Sequence, residues 1–379
     1  MRVIRSKQNE KSRRVVSLVD DNDMPVEVVA RFLAHLGARG CSPNTQQAYA
    51  YDLLRFWRFL GAETLTWDTF RPPDALRLLE YLRTVPSARS AQRLGLSIVV
   101  PVDAGSARLL SPATVNRIIA AISSFYDYVS LAGLLDGLNP IEKHPDPARW
   151  RVSERHRPFL EGISRQKPMR RSIRVRVPER LPRPLADDEV TQLLESLTRW
   201  RDRAMFLLML DGGLRAGEVL TLQLKDIEYG RRRVIIRCHD DHPHGARSKS
   251  RRERAVDLRE RRTLDAVSHY VVDERPADAE SDFVFLVDRG TRRHEPLGYA
   301  ALARLFQRRC DQLGIRQAWV TPHAQRHTHA TRMWEGGMRE LTLQQRLGHA
   351  SPESTRIYTR VSDEAVVADY RHALGEDTE

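Results

Sequence analysis

Residues 204–220 read AMFLLMLDGGLRAGEVL. The opening run, Ala204 to Leu210, is apolar on every side, which predicts a helix buried all round. Gly212-Gly213 stops it, because glycine tolerates the turn conformations that end a helix and weakens a helix that runs through it. A new helix starts behind them, and Arg215 and Glu218, three residues apart, fall on one of its faces. Taken alone, an Arg-x-x-Glu pair is a surface ion pair worth little. Its position sets it apart, since an arginine in the first turn after a glycine break stands where a helix start holds an anion.

Downstream the apolar period shortens. Arg233–Cys238 (RVIIRC) and Arg254–Leu258 (RAVDL) read as two short strands joined by HDDHPHGARSKSRRE, residues 239–253. Helical patterns resume over Thr263 to Val272 and Tyr299 to Leu313 and continue to the C-terminus. Upstream, an amphipathic helix begins near Asp187. Residues 143–183 break every pattern, with prolines at 145, 147, 158, 168, 178 and 182. Thirteen Lys and Arg against four Asp and Glu give this stretch +9, most of the chain's +12. A basic connector is ordinarily a solvated linker. The functional alternative is a strap that crosses a DNA groove and binds phosphates.

The segment from about Pro25 to Asn139 reads as helical. Ser42-Pro43 caps and starts a helix carrying Tyr49, Leu53, Phe56 and Leu60. Ser111-Pro112 repeats the signal ahead of Val115, Ile118, Ile122, Phe125 and Val129, and that helix ends near Gly133. A further helix, Pro73 to Arg83, lies between them, followed by a loop to Leu110. The expected organisation is an N-terminal tail (1–24), a helical domain (25–142), a basic linker (143–183) and a second domain of helices and short strands (184–379). With 379 residues the chain is long enough for two cores. Its 62 Lys and Arg against 50 Asp and Glu favour a polyanionic partner, nucleic acid ahead of a membrane surface. Cys41, Cys238 and Cys310 are too few and too scattered for a disulfide framework, which argues for a reducing compartment. No apolar run approaches the roughly 20 residues of a membrane span. The expected location is the cytoplasm.

Several residues could carry chemistry. Lys249 sits in the basic loop between the strands, where a lysine by itself is merely solvated. His323 and Arg326 are three apart on a helix that Thr321-Pro322 starts, so an imidazole and a guanidinium project side by side. His323 and His327 are four apart, which raises a zinc site. Against it, no glutamate follows His323 as the metalloprotease motif requires, and Arg326 would stand beside the cation. The run His239-Asp-Asp-His-Pro-His244 is a second metal candidate, although a solvated loop fits it better. Leu347-Gly-His349 precedes Tyr358 by nine residues, and Ser351-Pro352 between them ends one helix and starts another, so the two side chains can converge.

In this order, Arg215 with Glu218, Lys249, His323-x-x-Arg326, Gly348-His349 and Tyr358 resemble the tyrosine recombinase (phage integrase) family, whose pattern matches element by element over Pro184 to about Tyr370. Lys249 is placed by counting back four residues from Glu253. Gln325 departs from the leucine common between the histidine and the arginine, and touches no catalytic role. The basic linker and the run HTHATRMWEGGM (327–338) look most like transposase-type members from bacterial mobile elements.

The resemblance implies a mainly α fold: a helical core-binding domain plus an α+β catalytic domain with a small β-sheet, closing as a C-shaped clamp on DNA. It implies a site-specific recombinase that cleaves and rejoins strands through a 3′-phosphotyrosine on Tyr358. Arg215 and Arg326 would hold the non-bridging oxygens of the phosphoryl transition state, with His323 and His349 as further donors or proton acceptors; Lys249 would protonate the leaving 5′-oxygen, and Glu218 would orient Arg215 or a neighbouring histidine. It further implies double-stranded DNA as partner, a homotetramer on paired sites, no metal or other cofactor, and no membrane. The alternatives are a type IB topoisomerase, a DNA-binding regulator without catalysis, and a zinc hydrolase built on the histidines.

Overall fold

The structure is a computed structural model that describes residues 1–8, 13–87, 109–145, 169–177, 183–239, 241–248, 253–349 and 353–356. It divides into two compact units, Met1–Glu179 and Arg180–Glu379.

The first unit is built on α1 (Glu27–Ala38), α2 (Pro43–Ala62), α3 (Pro72–Thr84) and α4 (Pro112–Leu131). Both serine–proline signals act as caps. Ser42 Oγ accepts a hydrogen bond from Thr45 N at 3.1 Å and Ser111 Oγ one from Thr114 N at 3.3 Å. The proline behind each takes an early helical position, where its missing N–H leaves no bond unmade. α4 closes just before Gly133, whose φ of +65° favours a residue without a Cβ. Leu53, Phe56 and Leu60 of α2 share one core with Ile118, Ile122 and Phe125 of α4.

Two expectations for this unit are corrected. The N-terminal tail is instead an antiparallel hairpin of β1 (Arg2–Gln8) and β2 (Arg13–Val19). Val16, Leu18 and Val19 are buried in the helical core, and Val3 packs beside them. A handful of apolar residues among charges is too short a signal to stand out as strands. Of the expected linker, residues 143–145 and 169–177 likewise belong to this unit. β3 (Lys143–Pro145) pairs antiparallel with β4 (Met169–Arg171). Beyond β4, Val175 exchanges two 2.8 Å hydrogen bonds with the Asn116 side chain, and Ile173 packs on the core. The strap expected of this stretch falls on residues 146–168 and 178–182, outside the described residues, as does most of the expected loop before Leu110.

The second unit is α+β. It runs through α5 (Asp187–Glu195), α6 (Trp200–Leu210) and α7 (Ala216–Leu220) to a three-stranded antiparallel sheet of β5 (Ile227–Glu228), β6 (Arg233–Ile236) and β7 (Arg254–Asp257). Then come α8 (Arg261–His269), α9 (Tyr299–Gln312), α10 (Pro322–Glu335), α11 (Glu340–Leu347) and α12 (Glu353–Arg356). Every side chain from Ala204 to Leu210 is buried, as the all-round apolar run requires, and α6 packs against α8 and α10. In the sheet Val234 faces Val256 in register, and Val234, Ile236 and Val256 turn into the core. β5 was not expected, since two residues carry no readable period. The chain as a whole is mainly helical with small antiparallel sheets, as expected. Among the described residues no helix is long and apolar enough to cross a membrane.

Candidate active site

The end of α6 sets the first functional residues. Gly213 has a φ of +64°, and a Cβ on it would lie 2.4 Å from Cδ2 of His329, so both backbone and space demand glycine. This turn delivers Arg215 to the start of α7. Glu218 Oε2 accepts from Arg215 N at 2.9 Å, closing the helix start, while Arg215 Nη1 donates to Oε1 at 2.8 Å. Glu218 is 1% exposed, so the pair is a buried one and no surface ion pair.

Two more arginines reach the same carboxylate. Arg254 of β7 grips it with both terminal nitrogens, at 3.1 Å and 2.8 Å, and Arg326 Nη1 stands 3.8 Å away. Arg254 served in the sequence only as a strand residue near Glu253. Its role was hidden because 36 residues separate it from Glu218.

The end of α11 supplies the opposite wall. Gly348 adopts a φ of +61° as the helix stops, and a Cβ there would lie 2.7 Å from Arg254 Nη1. The exposed carbonyls of this turn, orphaned by the helix end, are taken by guanidinium groups. Arg326 Nη2 donates to Leu347 O at 2.6 Å, and Arg215 donates to Leu347 O and Gly348 O at 3.3 Å each. Arg326 Nη1 also donates to Gly213 O at 2.6 Å. Arg326 Nη2 further lies 3.0 Å from His349 Nε2. Because a guanidinium only donates, Nε2 is the accepting nitrogen, and the ring proton sits on Nδ1, facing Thr355 Oγ1 at 2.8 Å. Thr355 is fully buried on α12 and was not singled out in the sequence.

Arg215, Glu218, Arg326 and His349 are thus brought together from three separate stretches. His323 lies on α10 three residues before Arg326, exposed, with its ring 5.3 Å from that of His327. Lys249 and Tyr358 lie outside the described residues; α12 ends at Arg356, two residues before the tyrosine. The run His239–His244 is not wholly the solvated loop that was expected, because its three histidines are individually packed. His239 Nε2 meets the buried Asp226 at 2.9 Å, His244 Nε2 meets Glu295 at 3.0 Å, and His242 is buried with its ring 5.0 Å from Phe283. Among the described residues no group of three or more His, Cys, Asp or Glu is placed to hold a metal ion.

The electrostatics follow from burial and from three adjacent guanidinium groups. Burial alone would raise the Glu218 pKa, but Arg254, then Arg326 and Arg215, hold it below the ordinary carboxylate value. Burial first, and then Arg326, Arg215 and Arg254, press His349 down to about 3, so its imidazole is neutral. His329, behind the site, falls to about 4 through burial and Arg346. A histidine whose folded pKa lies below the unfolded value contributes full stability above about pH 6.5 and loses it as pH falls toward the folded pKa. Between pH 7 and pH 5, His329 should cost the second unit about 2 kcal/mol, and the more exposed His349 less in the same direction. Urea unfolding followed by a signal from this unit would read the loss, and an unchanged unfolding free energy at pH 5 would contradict it.

Comparison with known proteins gives a consistent relationship. The Phage integrase family profile matches residues 183–365, and the profile of the phage integrase N-terminal SAM-like domain matches residues 29–101. Transposase A from transposon Tn554 of Staphylococcus aureus is 28% identical over 375 residues, 99% of this chain and 98% of that protein. The tyrosine recombinase XerC of Pelobacter propionicus is 29% identical over 92% of this chain and 95% of its own. Among solved structures, the Tn1549 transposon integrase in complex with circular intermediate DNA matches with a TM-score of 0.57 at 17% identity, covering 90% of this chain and 98% of that one. The XerH site-specific recombinase bound to palindromic difH substrate gives 0.59 at 18%, covering 88% and 81%. At such identities these two likenesses establish the fold.

Proposed function

The chain belongs to the phage integrase family of tyrosine recombinases, and on that footing we propose that it integrates or transposes a mobile element by site-specific cleavage and rejoining of double-stranded DNA. The supporting observation is the cluster in which one buried carboxylate, Glu218, gathers Arg215, Arg254 and Arg326, with Arg215 and Arg326 also donating to the carbonyls of Leu347 and Gly348. Such a cluster holds planar, always-charged donors in fixed positions, as recognition of a phosphate requires. Likeness to a transposase over nearly the whole chain favours strand exchange between sites over relaxation of one duplex.

In this reading the Tyr358 oxygen attacks the scissile phosphorus, and its proton passes to the imidazole of His323. Arg215 and Arg326 hold the non-bridging oxygens while the bond to the 5′-oxygen breaks. Lys249 protonates that oxygen, and the product is a 3′-phosphotyrosine that a partner strand's 5′-hydroxyl reverses. The proposed assembly is a homotetramer on two paired sites.

A nicked duplex that traps the covalent adduct tests the reading, with Lys249 as its most selective part. Lys249→Ala should slow adduct formation by about 10²–10⁴-fold, the usual contribution of a general acid. A duplex whose scissile 5′-oxygen is replaced by sulfur should restore the rate, because a thiolate leaves without a proton. Arg215→Ala and Arg326→Ala should gain nothing from sulfur, since they act on the phosphate oxygens. Equal rescue of all three variants would remove Lys249 from the role, and no adduct with the unaltered chain would remove the function itself.

A further inference from the structure

Behind the arginines lies a second layer that reaches no phosphate. His329 is 2% exposed on α10, one turn past Arg326. Its Nδ1 lies 2.8 Å from Leu210 O, and its Nε2 accepts from Arg346 Nε at 3.0 Å. Since Arg346 only donates, the ring proton is on Nδ1 and points at Leu210 O. Both nitrogens are satisfied, and the ring edge fills the space that a Cβ on Gly213 would need.

Arg346, on the last turn of α11, extends the same tie. Its Nη2 donates to Asp211 O at 3.1 Å and to Asp257 O at 3.2 Å, and its own carbonyl accepts from Arg254 Nε at 3.0 Å. The pair therefore joins the turn at residues 210–213, the end of β7 and the end of α11. The first and last of these segments carry Gly213 O and Leu347 O, the two carbonyls on which Arg326 is aimed.

A buried histidine is more often an ordinary core residue, and a phenylalanine would fill much of this volume. What a phenylalanine could not do is tie the Leu210 carbonyl to the Arg346 side chain through hydrogen bonds on opposite sides of one ring. We propose that His329 and Arg346 are positioning residues, which hold Gly213 O and Leu347 O in place and through them set Arg326, and with it Arg215, for the scissile phosphate. The proposal rests on the recombinase reading, and adduct formation by the unaltered chain tests that reading separately.

The experiment uses the full chain and saturating nicked duplex. His329→Phe should slow adduct formation by about 10–100-fold, the scale on which small misplacements of a catalytic group are felt. DNA affinity should stay within about two-fold, because no phosphate contact is lost. His329→Gln should recover most of the rate, since an amide can donate to Leu210 O and accept from Arg346. In an Arg326→Lys background the further loss from His329→Phe should shrink to less than about three-fold, because residues acting through one group are not additive. Arg346→Lys, which keeps the charge but cannot span three acceptors, should slow the step with the same dependence on Arg326. Equal fold-losses in both backgrounds, or unaltered rates for His329→Phe and Arg346→Lys, would overturn the proposal. Should His329→Phe fail to fold, the Gln and Lys variants still decide it.

Discussion

Replacing Tyr358 by phenylalanine is expected to remove covalent adduct formation completely while the chain still binds its DNA. The substitution deletes one oxygen and keeps the ring, so packing and phosphate contacts are preserved and only the nucleophile is lost. A phenol titrates near pH 10, so at neutral pH it is a weak nucleophile unless cationic groups meet the charge it develops. The guanidinium groups of Arg215 and Arg326 converge from separate elements onto one turn and are suited to that task. Binding is read by gel retardation and chemistry by trapping on a nicked duplex, with the modified peptide identified by mass spectrometry. A phosphopeptide mapped to Tyr370 instead, or an adduct surviving in the phenylalanine variant, would move the nucleophile.

Glu218→Gln should be nearly as damaging for a different reason. The carboxylate is a double acceptor, surrounded by donors from Arg215, Arg254 and the Arg215 backbone N–H. An amide turns half of that site into a donor and leaves buried guanidinium groups without a counter-charge. Breaking one partner of a buried ion pair costs about 3–5 kcal/mol. The second unit should lose stability on that scale in urea unfolding, and adduct formation should fall by about 10²-fold or more as Arg215 drifts. Glu218→Asp, which keeps the charge on a shorter arm, should recover part of the stability. A Gln variant as stable and as fast as the unaltered chain would show that the cluster neither holds the fold nor aims the arginines.

What was legible in the sequence was what neighbouring residues decide. Ser42-Pro43 and Ser111-Pro112 announce their helices because a cap bonds three residues ahead, and Arg215 with Glu218 was visible because the pair is equally local. The run from Ala204 to Leu210 revealed its burial through composition alone. Arg254, His329 and Arg346 were passed over because each acts across a tertiary contact. Arg254 meets the Arg346 carbonyl 92 positions away, and His329 meets Leu210 O 119 positions away. No local pattern encodes such a meeting. The hairpin at residues 2–19 escaped for a related reason: its few apolar residues gain meaning only against the helices that cover them.

The three-arginine cluster has a consequence in charge. Arg254 holds Glu218 with two hydrogen bonds, so these two cancel, and His349 is neutral at physiological pH. Arg215 and Arg326 then remain as a surplus of two positive charges among the described groups. A phosphodiester at rest carries one negative charge, and attack by a deprotonated phenol raises it to two. On the proposed mechanism this arginine pair would be balanced against the pentavalent species and over-charged for the resting DNA. Its electrostatic attraction is greatest at the top of the barrier, which is the condition for accelerating a reaction instead of merely binding its substrate.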